Sequence, residues 1–281
     1  MRLPITRERL LRVLLPSAAF FVTQPAHAAV KISNGVEEIR KAASIIPGYG
    51  PPDIAFPSVF RGRWQVQSRV VDVKTPLGEE TAPKQELQEA RTLMAAAQPL
   101  AFEARFLDVD NAGGIAISNE RSDAVALSAK TYSGTVIADR SFNAERRAAA
   151  QPGAAALVDY TARWDPGNPN VLTLSCKGSV TEYKVTKRSF EAPFDGAFGT
   201  SEYSRIADAG SAGVISAVPK IMARRVQTRF KWDIEVADGG QVRRIEALEL
   251  AQTFDPTATG FADLAGATPV LTVKSRLIFT R

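Results

Sequence analysis

Hydrophobic and polar residues alternate strictly along several segments of the chain. In residues 226–236, Val226, Phe230 and Trp232 share one face with other apolar side chains, and charged or amide side chains occupy the opposite face. Such alternation is typical of an antiparallel sheet with one buried and one solvated face. A glycine-bearing turn follows, and the alternation resumes in residues 241–250, which predicts a hairpin.

The same periodicity predicts eight to ten strands in the chain. Residues 64–73 carry Trp64, Val66 and Val70 on one face and polar side chains on the other. This spacing of short strands is the pattern of an up-and-down barrel or of a sandwich. The other predicted strands are residues 156–164 and 171–178, joined by a turn at residues 165–170, and residues 102–109, 114–118, 181–190, 203–207 and 271–279.

Two segments have a helical composition instead. Residues 83–98 are rich in Ala, Glu, Gln and Leu. Residues 143–151 offer Asn143 as an N-cap and are followed by a Pro-Gly pair that would end a helix. We therefore expect a mainly β protein, an antiparallel β-barrel with one or two short helices.

The N-terminus has the build of an export signal. Four arginines lie within the first twelve residues, an apolar run covers residues 13–22, and Ala26-His27-Ala28 provides small residues at a cleavage point. We predict cleavage after Ala28, and an uncleaved amphipathic anchor is the alternative. The chain then divides into a cleaved signal at residues 1–28, an irregular lead-in at residues 29–55, and a single β-barrel domain at residues 56–281.

Removing the predicted signal changes the charge of the protein. The whole chain has a formal net charge of +5, and residues 1–28 contain four arginines against one glutamate, so their net +3 leaves about +2 on the mature chain. The remaining arginine pairs are scattered rather than aligned in one stripe. We therefore expect no nucleic-acid partner.

The scarcity of histidine and cysteine excludes several classes of catalytic and metal site. The only histidine is His27, inside the predicted signal, and the only cysteine is Cys176, on a predicted strand. A mature chain of this kind cannot build a Ser-His-Asp triad, a Cys/His zinc site or an internal disulfide. We expect no enzyme, no metal site and no cofactor, and only catalysis by carboxylates stays open.

A short motif at the first predicted strand resembles one in a known group of barrels. Phe60-x-Gly62-x-Trp64 follows a proline-rich turn and resembles the G-x-W signature of the lipocalins and wider calycins. The resemblance implies that Trp64 closes one end of a barrel and that a basic residue of the last strand packs across it. Arg276 and Arg281 are the candidates in the final strand, and we assign Arg276 to this closing group with Phe60, Gly62 and Trp64.

The order of several other motifs is similar to that in a thylakoid-lumen family of cyanobacteria and plastids, which carries a domain of unknown function. The motifs are Asp139 to Asn143, the turn at residues 165–170, Lys187-Arg188, and Thr200 to Tyr203. The resemblance implies a protein of the chloroplast thylakoid lumen, or of the cyanobacterial lumen or periplasm. It would be soluble or peripheral there, without a transmembrane span in the mature chain.

Five aromatic residues alternate onto inward faces of the predicted strands, where they either fill the barrel or line a cavity. They are Trp64, Tyr160, Trp164, Phe230 and Trp232. We expect a non-enzymatic barrel that binds a small apolar ligand, such as a pigment, an isoprenoid or a lipid.

An alternative function is that of an auxiliary or assembly factor for a photosynthetic membrane complex, which would contact its partner through loops at residues 196–199 or 252–269. Loops on a rigid barrel commonly carry recognition.

Overall fold

The computed structural model describes residues 53–109, 135–165, 168–211, 220–233, 242–255 and 266–281. The predicted signal, most of the predicted lead-in, the predicted strand at residues 114–118 and the glycine turn at residues 238–240 lie outside these ranges.

Ten described strands form one antiparallel sheet in the order β3-β2-β1-β10-β9-β8-β7-β6-β5-β4. The sheet curls into a half-barrel, so the expected mainly β, antiparallel architecture with two short helices is confirmed. From β4 to β10 every strand pairs with its neighbour in sequence, and β10 then pairs with β1. The strands are β1 (Gly62–Lys74), β2 (Leu100–Val109), β3 (Thr135–Ala138), β4 (Tyr160–Asp165), β5 (Asn168–Cys176), β6 (Ser179–Phe190), β7 (Ala197–Ser211), β8 (Lys220–Trp232), β9 (Arg244–Phe254) and β10 (Leu271–Thr280).

The period-2 pattern of β1 determines which face is buried. Trp64, Val66 and Val70 are buried, whereas the intervening residues Gln65 and Gln67 are exposed. Because directly paired residues of neighbouring strands point to the same face, the register carries this inner face across the sheet. Val66, for example, pairs with Phe102 on β2 and with Phe279 on β10, and all three are buried.

Helix α1 (Lys84–Ala95) packs against β1 and the neighbouring end of β10. Its buried residues are Glu86, Leu87 and Ala90. Leu87 and Ala90 join Val70 of β1 in a small apolar cluster, so one face of the helix is apolar except for the Glu86 carboxylate. The helix predicted at residues 83–98 is therefore present with slightly shorter bounds.

Helix α2 (Arg140–Ala149) connects β3 to β4 and contacts β2, β4 and β5. The helix exists as predicted, but the expected start at Asn143 is wrong. Asp139 is the N-cap, and its carboxylate accepts from the backbone N–H of Phe142 at 3.0 Å. The Asn143 side chain instead bonds the backbone of Arg105 on β2, accepting at 2.7 Å and donating at 3.1 Å. Aspartate and asparagine cap helices about equally well, so composition alone did not separate the two.

Aromatic side chains fill one end of the half-barrel. Phe56, Phe60, Phe106 and Phe230 lie with ring centroids 4.9–6.2 Å apart, mostly edge to face. This is the spacing at which aromatic pairs are attractive beyond their buried area. A second apolar cluster lies between α2 and the strands from β4 to β7. Between these two packed regions the inner face carries charged residues.

Candidate functional site

Arg140, the first residue of α2, points into the half-barrel and contacts two carboxylates. Its guanidinium donates to both oxygens of Glu202 on β7 at 3.0 Å each, and to the carboxylate of Asp53. All three side chains are nearly inaccessible to solvent. Because Asp139 caps the helix and fixes its first turn, the position of Arg140 follows from the local capping geometry.

Arg188 on β6 approaches Glu202 from the other side. Its Nε donates to Glu202 at 3.0 Å, and its Nη atoms donate to the side-chain oxygen of Asn170 at 2.8 Å and to the carbonyl of Pro169 at 2.7 Å. Glu202 therefore lies between two buried arginines. We call Asp53, Arg140, Arg188 and Glu202 the charge network.

The contacts within the charge network favour the ionised forms of Glu202 and Arg140. Burial by itself would raise the pKa of Glu202, but the charges and hydrogen bonds of Arg140 and Arg188 outweigh it and lower the pKa to about 2. Burial likewise works against the charge on Arg140, yet Asp53 and Glu202 raise the pKa of Arg140 above its ordinary value. A carboxylate whose pKa is lowered in this way stays ionised near neutral pH.

A cavity lies beside the charge network, over the inner face of β5 to β8. Arg140, Glu202 and Arg224 form its polar wall, and Leu172, Tyr183 and two valines form its apolar wall. Its volume is about 40 Å³, taken as the space open to the centres of water molecules. One water needs roughly 10–15 Å³ on this measure. The cavity therefore accepts about three waters or one small organic molecule.

Arg224 on β8 links this cavity to a second, smaller cavity beneath α1. Its Nη2 donates to the Glu86 carboxylate of α1 at 2.7 Å, and Glu86 also accepts from the hydroxyl of Thr253 at 3.1 Å. Arg224 lines both cavities and is only 5% exposed. Its Nε has no hydrogen-bond partner among the described residues. The Nε atoms of Arg147 and Arg205 are likewise buried without a partner among the described residues, so this feature is not specific to the cavity.

A further buried ion pair lies deeper along the same inner face. Arg147 of α2 donates through both Nη atoms to Glu249 on β9, at 2.6 and 3.2 Å. Each of the two side chains is 2% exposed. This pair attaches the last turn of α2 to the sheet, and Arg140 attaches the first turn.

Comparison with known families places the whole described region in one family. Residues 48–281 match the family described as a domain of unknown function, DUF6816. The chain belongs to this family. The DUF6816 domain thus covers every strand and both helices described above. No curated protein and no solved structure matches the chain.

The five aromatic residues expected to line a cavity fall into two separate groups. Trp64 and Phe230 are buried in the aromatic end of the DUF6816 domain, with Trp232 packed against them. Tyr160 and Trp164 belong to the second apolar cluster, beside α2. None of the five lines the cavity beside the charge network.

The closing group of residues lies at the aromatic end of the sheet. The indole N–H of Trp64 donates to the carbonyl of Phe60 at 2.7 Å. The guanidinium of Arg281 lies 4.2 Å from the centre of the Trp64 ring and donates to the carbonyls of Val59, Arg61 and Val242. Gly62 has φ +96°, which favours glycine at this approach.

The structure places Arg281, and not Arg276, across Trp64. Arg276 is exposed on the outer face and pairs with Glu246 at 2.6 Å. It pairs directly with Arg69 of β1, whose side chain also lies on the exposed face of that strand, opposite to the face of Trp64. Alternation along β10 therefore directs Arg276 away from the core, whereas Arg281, just beyond the strand, can fold over the indole ring.

The sequence did not identify Asp53, Arg140 and Glu202 as one group. The available signal was the alternation in β7, where Glu202 lies on the same face as the buried residues Phe198 and Thr200. A carboxylate on an inward face requires a partner, and the partners come from distant parts of the chain.

The described residues were compared with the requirements of a membrane-spanning helix and of a metal site. No described helix is both long enough and apolar enough to cross a bilayer. Within the described ranges, no three His, Cys, Asp or Glu side chains are grouped so that they could hold a metal ion.

Proposed function

We propose that this protein is a non-enzymatic binding module that holds a small molecule in the cavity beside the charge network. The observation that carries the proposal is the lining of the cavity, in which Arg140, Glu202 and Arg224 form a polar wall and Leu172, Tyr183 and two valines form an apolar wall. Ligand sites typically combine apolar walls with a few placed polar groups.

The cavity favours a smaller and more polar ligand than the aromatic pattern predicted. A pigment, an isoprenoid or a lipid chain requires a site of several hundred Å³. The described cavity has about 40 Å³. The ligand that suits it has a few non-hydrogen atoms, one polar group and a short apolar part.

The state of Glu202 supports a binding role over catalysis. A general acid or base works best with a pKa near the working pH. The arginines on either side instead lower the pKa of Glu202 to about 2. The carboxylate closest to the cavity therefore serves to position Arg140 and Arg188.

The first experiment is native mass spectrometry on protein purified gently from its own compartment, with an absorption spectrum of the same sample. A stoichiometric adduct of low mass is the expected result. Val185→Leu adds one methylene to the cavity wall and should lower the adduct fraction, whereas Val71→Leu, on a residue 47% exposed, should leave it unchanged. A bare mass for the unmodified protein, with no small molecule released on denaturation, would refute the proposal.

We propose the thylakoid lumen, or the cyanobacterial lumen or periplasm, as the compartment, and a lipocalin-like role for the Trp64 end of the sheet. The three-part pattern of residues 1–28 and the contact between Arg281 and Trp64 support these proposals. Mass measurement of the mature N-terminus tests the first: a chain that begins after Ala28 is expected, and an intact Met1 would contradict it.

A second candidate function, an auxiliary or assembly factor for a photosynthetic membrane complex, is favoured by Phe194. This side chain is 81% exposed in the tight turn between β6 and β7. It lies close to the expected contact loop at residues 196–199, of which the structure places residues 197–199 in β7 instead. A photo-crosslinking residue at position 194 should capture a membrane partner in intact cells, and the same residue at the exposed position Gln67 serves as control. Equal crosslinking from both positions would argue against this role.

A further inference from the structure

We propose that the outer face of strands β6, β7 and β8 docks on an anionic lipid surface. This face is the convex side of the curled sheet and lies opposite to the side that carries the cavity. The inference therefore goes beyond the proposed function and does not depend on it.

Basic side chains dominate the outward positions of these three strands. Inward positions such as Tyr183, Glu202 and Val226 are buried, and the residues that alternate with them point outward. The described outward positions of β6 to β8 carry six Lys or Arg residues and one carboxylate, Glu182. We call these six residues the basic face: Lys184, Lys187, Arg205, Arg225, Arg229 and Lys231.

The sheet brings four of these cations close together. Lys184 pairs directly with Arg205 across β6 and β7. In the next row, the Nζ of Lys187 lies 5.7 Å and the guanidinium of Arg225 lies 5.1 Å from the centre of the Tyr203 ring. Like charges directly opposite each other destabilise a sheet. The pairing of Lys184 with Arg205 therefore indicates a role in binding an anion rather than in folding.

The positive charge of the protein is concentrated on the basic face. Its six cations and the Glu182 carboxylate sum to +5, whereas residues 29–281 have a net charge of about +2, so all other residues of that range sum to about −3. The acidic residues Asp195 and Asp233 lie beyond the ends of the three strands. An anionic surface orients a protein with this asymmetry so that the basic face approaches it first.

The shape of the basic face favours a lipid surface over an acidic segment of another protein. Protein segments are typically held at an open sheet edge or in a groove. Strands β6 to β8 are paired on both sides, and the convex side of a sheet forms no groove. An anionic membrane requires only several Lys and Arg residues near its surface. Leu248 and Leu250 of β9, half-buried and paired with Arg229 and Gln227, add apolar contact at the headgroup boundary.

The dimensions of the basic face match the range of the electrostatic attraction. Three strands about 4.8 Å apart span about 10 Å, and the distance from Arg225 to Lys231 along β8 is about 20 Å. The Debye length is about 10 Å at about 0.1 M salt, so all six cations act on one membrane in spite of the curvature of the sheet. Each Lys or Arg near an anionic membrane strengthens binding about 5-fold.

The test is co-flotation of the purified mature protein with two kinds of vesicle. One kind contains phosphatidylcholine alone, and the other contains phosphatidylcholine and phosphatidylglycerol in equal amounts. We expect the protein to bind only the vesicles that contain phosphatidylglycerol. Binding should be present at about 0.1 M salt and lost at about 1 M salt, where the Debye length falls to about 3 Å.

Removal of charge identifies the face that binds. A variant with Lys184→Gln, Lys187→Gln and Lys231→Gln loses three exposed cations of the basic face and keeps the half-buried Arg205 and Arg225. Its affinity for the phosphatidylglycerol vesicles should fall about 100-fold, from about 5-fold for each cation.

A matched control removes the same charge elsewhere. A variant with Arg61→Gln, Lys74→Gln and Arg91→Gln loses three exposed cations that lie outside β6 to β8. Its affinity should fall by less than about 5-fold, because these side chains are not on the face that meets the membrane. Thermal unfolding reports whether each variant keeps the fold.

Three results would overturn the inference. The unmodified protein could leave the phosphatidylglycerol vesicles unbound at about 0.1 M salt, or the two variants could lose affinity equally. In the third result, the unmodified protein binds a poly-glutamate peptide but neither kind of vesicle, which would assign the basic face to an acidic protein partner. None of these results bears on the cavity, because it lies on the other side of the sheet.

Discussion

Replacing Glu202 by Gln should destabilise the protein strongly. The substitution removes a buried negative charge from between Arg140 and Arg188 and leaves the two guanidinium groups with Asp53 as their remaining carboxylate in the charge network. Breaking a buried ion pair in this way typically costs about 3–5 kcal/mol. The pKa of Glu202, lowered from 4.5 to about 2, gives a similar figure of roughly 3 kcal/mol.

Glu246 offers a matched control for this change. It also lies between two arginines, Arg244 and Arg276, but its side chain is 40% exposed and solvent screens the pairs. Glu246→Gln should therefore cost no more than about 1 kcal/mol. Urea unfolding at pH 7, followed by tryptophan fluorescence, measures both variants against the unmodified protein.

The pH dependence provides a second readout of Glu202. Because the folded-state pKa lies below the unfolded-state value, the contribution of this carboxylate is fully present above about pH 4.5 and is lost as the pH falls towards 2. The difference in unfolding free energy between the unmodified protein and Glu202→Gln should shrink across that range. A loss below about 1 kcal/mol at pH 7, or a difference that does not change with pH, would refute the reasoning.

Three further predictions concern other parts of the fold. Arg281→Ala should lower the free energy of unfolding by about 2 kcal/mol, because it removes the contact with Trp64 and three hydrogen bonds to carbonyls. Arg276→Ala, which loses only an exposed ion pair, should lower it by less than about 1 kcal/mol. Equal effects of the two substitutions in thermal unfolding would contradict this prediction. Gly62→Ala should lower the free energy of unfolding by about 1–2 kcal/mol, because an alanine at φ +96° is strained. The added Cβ itself would make only an ordinary contact, with an Arg281 nitrogen at 3.9 Å. An unchanged midpoint in urea unfolding would count against this prediction. Cys176 should react with a thiol reagent far more slowly in the native protein than in urea, because the side chain is buried and burial raises the pKa of its thiol. Similar rates in the two conditions would show that the region around Cys176 opens in the native protein.

The strands could be predicted because their pattern is local. In β1 and β9, apolar and polar residues alternate, and the buried positions follow that alternation. The start of α2 was missed because Asp139 and Asn143 are both good caps, and the choice depends on how β3 ends. Local pattern thus predicts elements well and their first residues less well.

The charge network could not be predicted for a different reason. Arg140 is separated from Asp53 by 87 positions and from Glu202 by 62 positions. Periodicity shows that Glu202 points inward, but it does not show which inward residues the curled sheet brings opposite each other. The assignment of Arg276 has a different origin, because alternation along β10 alone places Arg276 on the outer face. Only the contact of Arg281 with Trp64, beyond the last strand, depends on packing.

The pairing of β1 with β10 has a consequence for how the chain folds. Strands β4 to β9 can assemble as successive hairpins while the chain is being made, since each pairs with its neighbour in sequence. Strand β1 pairs with β10 across more than 200 positions, for example at Val66 and Phe279, so its second edge stays unpaired until the last described strand arrives. Contacts of such long range form late, and a valine-rich open edge is a template for wrong pairing. The nascent protein is therefore most prone to aggregation in the interval before its final strand is added.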